Sequence, residues 1–397
     1  MNRLRVAIVV DPPEEGWPSM DLTAEMLLKH LNQGHSDEVE AVRVCPAYHR
    51  RFARLPGRRA ASVGNNADRL LNRYLDYPRD LRRIVGRESF DVYHVADHSY
   101  SQLVHVLPAG RTVVSCHDLD TFRCLLRPDL EPRPAWFRSL TRRTLQGMQK
   151  AAIVAASSES TRAAIVEHRL VEADRLTMIH LGTHPEFMAE PDPKAEAEAD
   201  RIVGPVEPGG PPMVLHVGSN IPRKRIDVLL GAFAGIRRVA PDARLIKVGG
   251  EFTPTQSAQA KELGLLDAIR ILPFLAERST LAAIYRRAAL VLQPSEAEGF
   301  GLPIVEAMAC GAPLLASDIA VLREIAGDAA VYRPVGDIAG WIEAAVALLD
   351  DHKRNAPTYR YRREAGLRRS SLYRWSTHVR RLVESYRKLA STPKSFG

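Results

Sequence analysis

Two glutamates eight positions apart, Glu298 and Glu306, bracket Gly299, Phe300, Gly301, Leu302 and Pro303 in the stretch SEAEGFGLPIVEAMACGAPLLASD, residues 295–318. Carboxylates bind phosphate poorly but accept hydrogen bonds from sugar hydroxyls. Glycines let the backbone approach a ligand closely. Pro303 suits the first helical position, and the free N–H groups and dipole of a helix start favour an anion such as a phosphate. Together these residues read as a site where amides hold phosphate and two glutamates hold hydroxyls. A lone G-x-G would more simply be a turn with two surface glutamates. Here the spacing, the proline and the apolar runs at 288–292 and 313–316 agree on strand, glycine loop, helix and strand.

A second group supplies positive charge. Residues 216–227 read HVGSNIPRKRID, a strand ending at Gly218 and Ser219 and followed by Arg223, Lys224 and Arg225. At the carboxyl end of a strand such cations can neutralise a pyrophosphate. Gly249 and Gly250 give another close backbone approach. Residues 112–120, TVVSCHDLD, put His117 and Asp118 just past a strand, on the face where open α/β sheets place ligands. Asp118 and Asp120 also form a D-x-D, but that pattern recurs too easily to mark a metal site, and none is expected. No G-x-x-x-x-G-K-[ST] and no G-x-G-x-x-G is present, which argues against P-loop ATPase and dinucleotide readings.

The elements that must position these residues alternate. Apolar runs at 6–10, 39–44, 92–95, 112–116, 152–156 and 176–180 are each followed by a helical pattern, as in a parallel doubly wound domain. A second series, at 213–217, 244–248, 269–272, 288–292, 313–316 and 330–332, predicts another. The acid-, proline- and glycine-rich stretch between them reads as a linker. The expected organisation is α/β: a first domain over 1–190, a linker over 191–212 and a second domain over 213–374, with a cleft between the domains. The tail from 359 to 389 reads as helical, with residues 375–391 packing back on the first domain.

At 397 residues, with 45% hydrophobic and 26% charged residues, the chain has the composition of a globular protein with room for two domains. A net charge of +8 favours anionic partners: nucleotides, nucleic acid or an acidic membrane surface. The arginine clusters at 50–59 and 79–83 read first as solvated faces and second as contacts to a phosphate-bearing or membrane-linked acceptor. Four scattered cysteines without a C-x-x-C fit reduced thiols in a cytoplasm, and no apolar run reaches membrane-spanning length.

The segments PSEAEGFGLPIVEAMACGAPLLASD, VGSNIPRKR, VVSCHDL and IVAASSESTRAAI together resemble the retaining glycosyltransferases of the GT-B fold, in the large family with glycogen-synthase-like and mannosyltransferase members. The resemblance is strongest over 213–332 and weaker over 94–187. It implies that Glu306 binds the ribose hydroxyls of a nucleotide sugar and Glu298 those of the transferred sugar. The amides of Phe300 and Gly301 would meet the diphosphate, as would Lys224 and Arg223. Leu302, Gly218, Ser219 and Gly249 would line the donor, and His117 would sit near its sugar. Asp118, His98 and Trp17 are further candidates for donor or acceptor contact. Ser219 stands where many members carry arginine, and Arg223 is expected to compensate. The first loop, DPPEEGWPSM, lacks the paired glycines common in the family.

The function expected is therefore metal-independent, retaining transfer of a hexose from a UDP or GDP sugar to a saccharide or lipid-linked acceptor, in the cytoplasm or at the inner face of an anionic membrane. No cofactor is expected beyond the nucleotide-sugar co-substrate. Two alternatives remain: a nucleotide-sugar epimerase on the same architecture, and a non-catalytic basic protein that binds nucleic acid or membrane. The intact glutamate loop argues against the second, because charge alone would not require it.

Overall fold

The computed structural model describes residues 3–52, 58–205, 207 and 209–391. The chain forms two compact units: Met1–Leu181 with Trp375–Gly397, and Gly182–Arg374.

The first unit is a six-stranded sheet of β1 (Leu4–Val9), β2 (Val39–Val44), β3 (Val92–Val95), β4 (Thr112–Cys116), β5 (Ile153–Ala156) and β6 (Leu176–Met178), in the order β2-β1-β3-β4-β5-β6. Every pairing is parallel. Parallel strands covered by helices on both faces bury both sets of side chains, which is why they read as unbroken apolar runs. Ala7, Val9 and Val95 face one core cluster and Val6, Ile8 and Val92 the other. The helix Trp375–Ser391 covers the second face with Val379, Leu382, Val383 and Tyr386. The Tyr386 hydroxyl lies 2.5 Å from His94 Nδ1, and His94 Nε2 lies 2.8 Å from Ser115 Oγ. Burial pushes the His94 imidazole down to about 3, so this ring is neutral and its polar atoms are matched inside the core.

The second unit contains β7 (Met213–Val217), β8 (Arg244–Val248), β9 (Ile269–Leu272), β10 (Leu290–Gln293), β11 (Leu314–Ser317) and β12 (Ala330–Arg333), in the order β12-β11-β10-β7-β8-β9. It too is parallel throughout. In both sheets the strand order reverses beside the first strand, between β1 and β3 and between β7 and β10. Open α/β sheets bind ligands outside the carboxyl ends at such points.

The expected linker needs correction, and the helical tail is divided in two while its end packs on the first unit as expected. The stretch read as a linker contains the helix Pro193–Val203, capped by Asp192, whose side chain accepts the Lys194 N–H. It belongs to the second unit and is held there by Arg286 on Glu196 at 2.7 Å and Arg287 on Asp200 at 2.8 Å. The helical tail is two helices, Pro357–Ser370 in the second unit and Trp375–Ser391 in the first. They part around Tyr373, whose hydroxyl donates to Ile325 O at 3.0 Å.

Of the arginine clusters, 50–59 lies partly outside the described residues. Within it Arg51 pairs with buried Asp76 at 2.6 Å. Arg79 and Arg83 both bond Asp80, at 3.1 and 2.9 Å. The exposed Arg79 and Arg83 pairs match the plainer reading of a solvated face.

Candidate active site

The stretch that suggested chemistry runs from the end of β10 into the helix Leu302–Ala309. Gly301 caps that helix with φ of 92°, a left-handed conformation open to glycine. Leu302 is therefore the first helical residue and Pro303 the second, one place later than expected. Glu306 is the fifth, so it falls in the second turn. Phe300 is buried edge-on against Tyr373, 5.5 Å between ring centroids, which anchors the loop.

Glu298 is 6% exposed and lies among donors. Lys224 Nζ donates to its Oε1 at 2.5 Å, Gln293 Nε2 to the same oxygen at 2.7 Å, and Arg223 Nη1 approaches Oε2 at 3.4 Å. Burial works to raise this carboxyl, but the Lys224 and Arg223 charges and the hydrogen bonds outweigh it and hold Glu298 below the usual range. The cations come from a 3-10 turn, Pro222–Lys224, that follows β7 and ends in Arg225 at a left-handed φ of 48°. The two loops are stitched together by Glu296 N on Arg223 O at 2.9 Å and Arg223 Nη1 on Ala297 O at 3.0 Å.

Glu306 is in a different state. The Tyr285 hydroxyl donates to its Oε2 at 2.9 Å. Burial raises its carboxyl to about 7, with Tyr285 and Arg278 opposing. One glutamate of the pair is thus fixed as an anion by cations, and the other is half protonated near neutrality.

Gly218 and Gly249 complete this edge. Gly218 N donates to Val248 O at 2.9 Å, and a Cβ on Gly249 would stand 2.3 Å from Gly218 O, so the two loops meet backbone to backbone. Gly249 has φ of 118°, which only glycine adopts without strain. Three polar side chains inside buried strands were missed by the sequence reading. His216 Nδ1 donates to Leu292 O at 2.9 Å, leaving Nε2 without a partner, and burial lowers its imidazole to about 4. Lys247 is fully buried, donates to Gly250 O at 2.6 Å, and is lowered to about 8 by burial. Gln293, also fully buried, supplies the hydrogen bond to Glu298. Each stands one or two positions before a loop glycine or the Pro294–Ser295 turn, the pattern that could have revealed them.

The remaining candidates lie in the first unit. His117 is buried at the end of β4, its Nε2–H donating to Ala96 O at 2.9 Å. Burial favours the neutral ring, so Nδ1, which has no partner, is a bare acceptor. His98 is buried beside it, with Nδ1 3.1 Å from Asp97 Oδ1. Burial works to lower its imidazole, but Asp97 and Asp118 raise it overall. Asp118 Oδ1 accepts the Asp120 N–H at 3.0 Å, so the D-x-D closes a local turn. Trp17 is 47% exposed at the start of the helix Pro18–Gly34. Ser219 is half-buried just past the end of β7.

Residues 200–365 match the family model of group 1 glycosyl transferases, and residues 23–187 that of glycosyltransferase family 4. The chain is 26% identical over 310 residues to O-antigen chain mannosyltransferase B of Escherichia coli, covering 76% of this chain and 77% of that one. It is 32% identical over 207 residues to a D-inositol 3-phosphate glycosyltransferase of Segniliparus rotundus, covering half of this chain and 44% of the relative's length. Anabaena HepE, solved in complex with UDP and glucose, has the same architecture: TM-score 0.70 at 16% identity, over 97% of this chain and all of that one. Two Rossmann-like units of this kind define the GT-B fold. The chain belongs to the glycosyltransferases of that fold.

Proposed function

We propose that the protein transfers a hexose from a UDP or GDP sugar to a saccharide or lipid-linked acceptor, with retention and without a metal ion. The observation that carries this reading is Glu298 buried between Lys224 and Arg223, at the strand-order reversal beside a glycine-capped helix start. Breaking an anomeric bond leaves negative charge on the departing diphosphate. Lys224, Arg223 and the helix amides supply fixed positive potential of the kind that lowers such a barrier, and that a divalent ion would otherwise provide. Glu298, held ionised, is an acceptor for hydroxyls of the transferred sugar. Glu306 is an acceptor for ribose hydroxyls, and His117 Nδ1 for a further hydroxyl. HepE in complex with UDP and glucose supports a nucleotide-sugar donor on this architecture.

Retention follows from the resemblance, with the leaving phosphate assisting deprotonation of the acceptor on one face. Four free cysteines fit a cytoplasmic setting, and contact with an anionic membrane belongs to the same proposal. Among the described residues no helix is long and apolar enough to cross a membrane.

The test is transfer from UDP, GDP and ADP sugars to saccharide and lipid-linked acceptors, with and without EDTA, following the product anomer by NMR. Turnover that survives chelation and gives a retained anomer is expected. Complete loss on chelation would reject metal independence, an inverted product would reject retention, and normal turnover by Glu306→Ala would reject the ribose role.

A further inference from the structure

The charges at the carboxyl edge of the second sheet do not balance. Lys224 and Arg223 share Glu298, and Arg225 pairs with Asp227 at 2.7 Å. Lys247 is a further cation, yet its Nζ donates to a carbonyl, Gly250 O at 2.6 Å, and among the described residues no ion pair includes it.

Its place follows from the strand register. Val214 and Leu245 belong to the core cluster shared with the helix Ile226–Val239. His216 and Lys247 stand two positions further on and pair with each other across β7 and β8. Period-two alternation therefore carries both onto that same face, where the strands end. Lys247 is fully buried there, with its head tied to the loop that follows β8. Gly250 O also accepts from Asn220 Nδ2 at 3.2 Å, and Gly249 N and Gly250 N both donate to Leu272 O, at 3.0 and 3.2 Å. This fixed loop meets Gly218 backbone to backbone, so Lys247 is one hydrogen bond and one backbone contact away from the loop that carries Arg223 and Lys224.

The surroundings do not neutralise the ammonium. Across the register β7 presents His216, kept neutral by burial and then by Lys224 and Lys247, and β9 presents Ile271. Glu251, in the loop beyond β8, draws the ammonium up, but burial outweighs it and lowers the group to about 8, which leaves it charged at pH 7. A buried ammonium is costly unless an anion meets its charge, and a methionine would fill the same space without that cost. An anion held at this edge would feel the charge with little screening by water.

We infer that Lys247 is a positioning residue for the diphosphate: without touching the ligand it fixes the Gly249–Gly250 loop and adds a buried positive charge that selects a nucleoside diphosphate over a nucleoside. That role rests on the proposed nucleotide-sugar donor and adds a cation to those the resemblance assigns.

Binding titrations of the full chain with uridine, UMP and UDP, and with guanosine, GMP and GDP, test it. Lys247→Met keeps the stem and removes the charge. For the base that the wild type binds, diphosphate affinity should fall about tenfold, monophosphate affinity less, and nucleoside affinity should stay within about twofold. Unchanged diphosphate affinity overturns the inference, and so does loss of all three ligands by one factor, which a merely structural role would give. The wild type supplies a second readout that holds if the variant does not fold. Coupling between sites is reciprocal, so an anion that gains about tenfold from the ammonium raises its titration by about one pH unit. In ¹³C-lysine-labelled protein the ε-carbon signal that titrates near pH 8 should move up by that amount with the diphosphate and stay in place with the nucleoside. A signal unmoved by saturating diphosphate overturns the inference. Absence of any nucleotide binding by the wild type overturns the donor reading and this role with it, whereas binding that is indifferent to Lys247 overturns the role alone.

Discussion

The two sheets reverse their strand order in the same way and put opposite chemistry at the reversal. Beside β1 and β3, Asp11 and Asp97 crowd together, and burial and the Asp97 charge push the Asp11 carboxyl well above its ordinary range. Beside β7 and β10, a single buried carboxylate, Glu298, faces Lys224 and Arg223 and is held ionised. The scaffold is common to both, so the difference lies in a few residues just past the strands. The electrostatic character of each sheet edge is thus set by the loops and not by the fold.

The sharpest way to break this contrast is Lys224→Ala, which leaves Glu298 buried with its strongest cation gone. Removing one partner of a buried pair costs about 3–5 kcal/mol, and Arg223 and Gln293 keep the loss near the lower figure. Transfer should fall roughly 10²–10³-fold if Lys224 stabilises the leaving group. Urea unfolding and initial rates check the two effects separately, and wild-type rates would remove Lys224 from the chemistry.

A smaller effect comes from Glu306, whose folded value of about 7 lies above the ordinary 4.5. A carboxyl raised in the folded state favours folding while it is protonated. Its contribution is complete below pH 4.5 and is lost as the pH rises through 7, by about 3 kcal/mol in all. Glu306→Gln, which mimics the protonated form, should match the wild type near pH 4 and exceed it at pH 8 in urea unfolding. Parallel curves at all pH values would show that Glu306 titrates normally.

The smallest effect isolates the acidic reversal. Asp97→Asn keeps an acceptor for the Ser99 N–H but removes the charge beside Asp11. The Asp11 titration, followed by carboxyl ¹³C NMR, should move down, and the unfolding midpoint should fall only by what the Ser99 hydroxyl and His98 lose with the Asp97 charge. An unmoved titration would show that burial alone sets Asp11.

The sequence reading located every strand of both sheets, because a strand buried on both faces must be apolar along its length, as at Val6–Val9 or Leu290–Leu292. It also located the glutamate loop and its cations, where glycine, proline and charge type each constrain the backbone. It failed where one residue type serves two purposes. Ala195 and Ala199, four apart between glutamates, are a helix face, but the prolines and acids around them look like a linker. His216, Lys247 and Gln293 are single polar residues within strands, and their pairing with carbonyls or with Glu298 depends on neighbours far along the chain. Asp11 went unremarked for the same reason: its neighbour Asp97 lies past another strand, β3, and far along the chain.

Tyr386 bonds His94 across 292 residues of sequence. During synthesis the six strands of the first sheet are all made by Met178, yet the helix that covers Val6 and Ile8 is not translated until the entire second unit has followed. The ribosome thus delivers a complete second unit before it delivers the lid of the first. Until then, that face of the first sheet is covered only in part, by Leu27 and Leu31 of the helix Pro18–Gly34, and the rest is apolar surface of the kind that draws chaperones or neighbouring nascent chains.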